Sequence, residues 1–210
     1  MVADEMESVP QDQVLNARDG AFKKTVLFVA LANLAYFGVE FIAASKSGSV
    51  SLFADSIDFL EDTSINLLIL FAMSWSLQAR ARVGHGLALL ILVPSLFTLN
   101  AIVHKFSTHS VPAPAILSLV AAGALVVNLA CAARLMSFRH HSGSLAKAAF
   151  LSSRNDALAN IAMIIAGFIT ARTNSYLPDL AVGLGIALIN TDSAREVWRA
   201  AGQEKLKAVP

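Results

Sequence analysis

The stretch Val50-Ser51-Leu52-Phe53-Ala54-Asp55-Ser56-Ile57-Asp58-Phe59-Leu60-Glu61-Asp62-Thr63-Ser64-Ile65-Asn66 runs on into Leu67-Leu68-Ile69-Leu70-Phe71-Ala72. Acids are thus embedded in a run otherwise apolar enough to cross a bilayer. At roughly 100° per residue, Asp55, Asp58 and Asp62 fall within about 60° of one another on a helix, and Asn66 continues the stripe. A carboxylate near the bilayer centre costs about 2.5–3.5 kcal/mol on insertion scales. Three on one face need compensation from cations, protons or water. Intramembrane acids of this kind point to function before structure.

The rest of the chain supplies the setting. Its 210 residues are 56% hydrophobic and only 15% charged, with a mean hydropathy of +0.62, whereas a soluble domain carries about 25% charge. A membrane helix needs about 20 mostly apolar residues. Six candidate spans follow: Thr25–Ala44, Val50–Leu77, Val83–Val103, Ala113–Leu135, Leu145–Ala171 and Tyr176–Thr191. The second and fifth are the longest. The expected fold is an all-α membrane protein, a six-transmembrane-helix bundle with both termini cytoplasmic. Residues 1–22 read as a polar cytosolic tail, disordered or loosely helical, 23–200 as the membrane domain and 201–210 as a short cytosolic tail. The N-terminal residues lack the basic start and apolar core of a cleaved signal.

Orientation follows from Lys and Arg. Twelve fall on the side of the termini (Arg18, Lys23, Lys24, Arg80, Arg82, Arg134, Arg139, Lys147, Arg195, Arg199, Lys205, Lys207) and three on the other (Lys46, Lys105, Arg172). The positive side is the cytoplasmic one. The expected location is a bacterial inner membrane, N-in and C-in, with lipid as the surrounding partner. The net charge of +1 argues against nucleic acid, and Cys131 as sole cysteine excludes an intrachain disulfide.

A second polar stripe lies in the fifth span. Ser152 precedes Asp156 by four residues and Asn160 follows it by four, while Asn155 is adjacent. If this stripe faces Asp58 and Asp62, three carboxylates plus hydroxyl and amide oxygens surround one pocket. Oxygen ligands suit Mn²⁺, Fe²⁺, Mg²⁺ or Ca²⁺, and zinc usually takes His or Cys as well. Arg154 is the one cation near this depth and cannot neutralise three aspartates. Asp55 lies toward the outer water layer on the same face. Glu40, near the outer end of the first span, reads as a proton-relay or vestibule acid or as a solvated end residue. Glu61 points about 120° from the stripe and reads as a helix contact. His85, His104 and His109 read as interfacial, and the His140-His141 pair as a weak metal signal. Cys131 reads as packing, and Asn33, Asn100 and Asn128 as interhelical hydrogen-bonding groups.

Three motifs in order carry a family resemblance. The run from Gly48 to Asp62 resembles the second-helix signature of the cation diffusion facilitators. Phe150 to Gly167, containing SSRNDALANIAMIIAG, is similar to their fifth helix. Ser175-Tyr176-Leu177-Pro178-Asp179-Leu180 with VGLGIAL resembles their sixth. The match spans roughly residues 25–200. It implies efflux of a divalent metal, of the Zn, Mn, Fe or Co kind, from the cytosol in exchange for protons, with no enzyme activity and no resident cofactor. The implied ligands are Asp58, Asp62 and Asp156, with Ser152 where the family carries His or Asp. Asn155 and Asn160 are the candidate substitutes there. The chain stops soon after Trp198, without the family's soluble C-terminal domain, so a homodimer is expected to rest on transmembrane helices. Two rivals stand beside this reading. A degenerate, non-transporting subunit or sensor would keep the fold with a weakened site. A metal-dependent membrane phosphotransferase would need an Asp-Gly continuation that Asp62-Thr63-Ser64 does not provide.

Overall fold

A computed structural model describes residues 11–72, 76–138 and 143–207. They form six helices and no strand: α1 (Gln11–Ser47), α2 (Val50–Ala72), α3 (Leu77–Thr108), α4 (Pro114–Met136), α5 (Gly143–Thr173) and α6 (Leu177–Lys207). The six-helix membrane bundle expected from the sequence is the architecture found. Gly20–Ser47, Pro114–Met136 and Ser153–Thr173 are long and apolar enough to cross a membrane by composition alone. α2 escapes that criterion because of its own acids.

The surface is apolar and many polar side chains are buried, unlike a water-soluble domain. Leu119 is 75% exposed and Val126, Ile189 and Phe168 nearly as open, whereas Glu40, Asn33, Asp55 and Asn160 are fully buried. Against lipid there is no hydrophobic drive to hide leucines, so helices associate through close packing and internal hydrogen bonds. The central cluster follows suit with small residues, Ala44, Ala54 and Ala121, around Leu52, Leu117, Met163 and Ile186. α1 packs chiefly on α2, α3 on α6 and α4 on α5, and α2 also meets α3, α5 and α6.

Several boundaries differ from the sequence reading. α2 has 23 residues and ends at Ala72, not Leu77, while α1, α3, α5 and α6 are the long helices at 37, 32, 31 and 31. At 1.5 Å per residue, α1 runs about 55 Å, well beyond the ~30 Å hydrocarbon layer. The helix begins at Gln11, so half of the expected tail is helical. Arg80-Ala81-Arg82 is not a loop but part of α3. Ser76 sets that start, its hydroxyl accepting from Ala79 N at 3.3 Å. At the opposite end the sequence punctuation holds. Gly48 takes φ +67° and its N–H bonds Ala44 O at 2.9 Å, closing α1. Pro114 opens α4. His140-His141 lies outside the described residues.

Candidate metal centre

Asp58 and Asp62, one turn apart on α2, line a cavity of about 300 Å³ together with Glu61, Asn155 and Asp156. Leu158, Ala159, Ile186 and Ile189 close its apolar side from α5 and α6. The two polar stripes read from the sequence therefore face one space. Asp156 is the strongest electrostatic neighbour of Asp58, ahead of Asp55, Glu61 and Asp62. The lining offers oxygen alone. Among the described residues no three His, Cys, Asp or Glu side chains converge tightly enough to grip one bare ion.

Each stripe is held from behind. Asn33 Nδ2 on α1 donates to Asp62 Oδ2 at 3.3 Å, and Asn66 Nδ2 donates to the Asp62 carbonyl at 2.7 Å. On α5, Asn160 Nδ2 donates to Asp55 Oδ2 at 2.7 Å and Asn160 Oδ1 accepts from Asn128 Nδ2 at 3.0 Å. Both ends of the Asn160 amide are occupied, so it bridges α2, α4 and α5 and does not face the cavity. Asp55 likewise turns away from the cavity toward Asn160. Asn33 and Asn128 form interhelical bonds, as their placement on separate spans suggested. Asn100 is exposed, and Cys131 is packed in the interior. Ser152 sits one turn before Asp156 in α5, its side chain outside the described residues.

Glu61, read from the sequence as a helix contact, is 9% exposed and also lines the cavity. It stands about 120° from Asp55 but about 60° from Asp58, its i,i+3 neighbour. Arg154 is exposed and donates to Asn155 Oδ1 at 3.2 Å. Glu40 is fully buried and is not a solvated end residue.

A second network closes the end of the bundle opposite the termini. Asp179, in the first turn of α6, is 0% exposed. Its carboxylate accepts from Ser49 Oγ and Ser51 Oγ, each at 2.6 Å, and from Val50 N at 3.0 Å and Ser51 N at 3.2 Å. It thereby caps α2 from another helix, where an acid also meets the positive end of the helix dipole. Lys105 Nζ of α3 lies 2.6 Å from Asp179 Oδ2 and also donates to Gly48 O. Lys105 was counted among outward loop charges; it is 3% exposed, because this partner draws it inside. Gly183 permits the approach, since a Cβ there would stand 2.9 Å from Ser51 N.

A bundle with lipid-facing leucines outside and a carboxylate-lined cavity within defines a membrane protein that handles cations. The chain belongs to the cation efflux family, whose transmembrane domain matches residues 26–204, nearly the whole described bundle. It is therefore an integral membrane protein of a cation-transporting family. No curated protein matches it.

Proposed function

We propose that the chain exports a divalent metal ion from the cytosol, with protons as counter-ions, and that Asp58, Asp62 and Asp156 receive the metal. The observation that carries this reading is the shared cavity, which carboxylates of both α2 and α5 line. A water molecule takes about 30 Å³ of liquid, so the cavity has room for an ion with roughly its first hydration shell. An ion arriving partly hydrated needs no three carboxylates in direct contact at once. Asn155 and Glu61 add oxygens at the rim, with Ser152 the remaining candidate on α5. Oxygen-only lining favours Mn²⁺ or Fe²⁺ over Zn²⁺ and Co²⁺, which gain from imidazole or thiolate.

The cavity lies near the middle of α2 and α5. With both termini cytoplasmic, in a bacterial inner membrane, metal loads from the cytosol and displaces protons from the carboxylates. The loaded bundle rocks outward, and incoming protons release the ion. Empty charged carboxylates are too costly to carry back unprotonated. The Lys105–Asp179 network is the contact this rocking must loosen. Asp55, Asn160 and Glu40 stand behind the metal carboxylates. Any homodimer would use the lipid-facing helices.

The test is uptake into inside-out vesicles reconstituted with pure protein under an imposed pH gradient, across Zn²⁺, Mn²⁺, Fe²⁺, Co²⁺ and Cd²⁺. Metal-dependent proton release is expected, abolished in Asp62→Asn and Asp156→Asn. Flux untouched by both substitutions would remove the proposal. Metal binding without flux would favour the non-transporting subunit.

A further inference from the structure

Behind the metal cavity, α1 and α2 bury a second acidic pair that the cavity does not reach. Glu40 and Asp55 are both 0% exposed, and their carboxyl groups lie within reach of one another. Asp55 Oδ2 takes the Asn160 amide at 2.7 Å. Apart from each other's carboxyl group, no donor of the protein reaches Glu40 Oε1, Glu40 Oε2 or Asp55 Oδ1. Neither residue has a Lys, Arg or His partner among the described residues. An ionised carboxylate only accepts hydrogen bonds, so two carboxyl groups can bond each other only through a proton on one of them.

The surroundings provide no substitute for that proton. The titratable groups nearest the pair are Tyr36 on α1 and Asp58 and Asp62 on α2. Tyr36 spends its hydroxyl on Val120 O at 2.7 Å. α4 and α5 present neutral amides, Asn128 and Asn160. Lys105 of α3 is bound to Asp179 of α6. Two bare carboxylates in contact in this dry interior would repel strongly.

We propose that Glu40 and Asp55 form a proton-binding site distinct from the metal cavity, one proton held between them and pinning α1 to α2. The ligand is a proton because two carboxyl groups bond each other only through one. The pin matters for the cavity behind which it sits. Through Asn160, one turn beyond Asp156, it fixes the register of α5 against α2. Losing the proton sets two like charges against each other at that junction.

Infrared spectra of the full chain in lipid film test this directly. At neutral pH, wild-type protein saturated with Mn²⁺ is expected to retain the C=O stretch of a protonated carboxylic acid, since metal strips protons from the cavity carboxylates and not from this pair. The band is expected to vanish in Glu40→Gln and in Asp55→Asn. Absence of the band in Mn²⁺-saturated wild type, which needs no variant to fold, overturns the proposal; so does a band that survives both substitutions. Thermal unfolding against pH gives a second reading. Wild type should lose stability as pH rises and the shared proton leaves, while Glu40→Gln, with a permanent N–H donor in its place, should show a flatter alkaline limb. Equal limbs overturn the pin. The inference stands apart from transport: a protein that binds no metal yet shows the band sinks the metal reading alone, and one that transports metal without the band sinks this one alone.

Discussion

Replacing Asp179 by Leu removes the acceptor on which three helices converge. Lys105 Nζ keeps only Gly48 O, and Ser49 Oγ, Ser51 Oγ, Val50 N and Ser51 N lose their acceptor. Removing one member of a buried ion pair costs about 3–5 kcal/mol, because the survivor is left as an uncompensated charge. Each orphaned buried donor is worth about 1–3 kcal/mol, though these overlap with the first term and do not add. The expectation for Asp179→Leu is a loss of about 3–5 kcal/mol in denaturant titration of the purified protein in mixed micelles. The double variant Lys105→Met/Asp179→Leu removes the stranded charge and should recover part of that loss, leaving about 1–3 kcal/mol for the bare donors. A loss below about 1 kcal/mol for the single variant, the range of exposed pairs, would refute the claim that this network is buried and closes the bundle. A double variant worse than the single would refute it too.

Other consequences are simpler to read. Gly183→Val places its Cβ against Ser51 N and the Val50 side chain, so overpacking should cost about 1–3 kcal/mol in the same titration. Asn160→Ala strips the amide from Asp55 and from Asn128; interhelical hydrogen bonds in membranes are worth about 0.6–1.7 kcal/mol each, and thermal unfolding should shift accordingly. Arg154→Ala should leave metal flux near wild type, since the guanidinium is exposed, bonds Asn155 and does not line the cavity.

The architecture was legible because two periodicities were strong: apolar runs of membrane length and acids at helical spacing. Asp58, Asp62 and Asp156 share a cavity as their stripes suggested, and Asn33 and Asn128 bond across helices. What escaped depended on tertiary partners. The start of α3 at Leu77 was set by Ser76, a local cap hidden inside an apolar run. Lys105 looked like an outer loop charge because its partner Asp179 lies 74 residues away. Glu61 stands off the edge of the stripe, and only the packing of α5 and α6 makes its position part of the cavity wall. Glu40 gave two readings because burial at a helix end is decided by what packs on it, here Asp55 of α2.

The central claim is that the α2 and α5 carboxylates hold a divalent ion together, and equilibrium binding of Mn²⁺ to purified protein, followed by loss of its free-ion electron paramagnetic signal, tests it most directly. Stoichiometric binding in wild type is expected, weakened at least about tenfold, or ~1.4 kcal/mol, by Asp58→Asn, Asp62→Asn or Asp156→Asn taken singly. Binding that survives all three substitutions together would contradict the account.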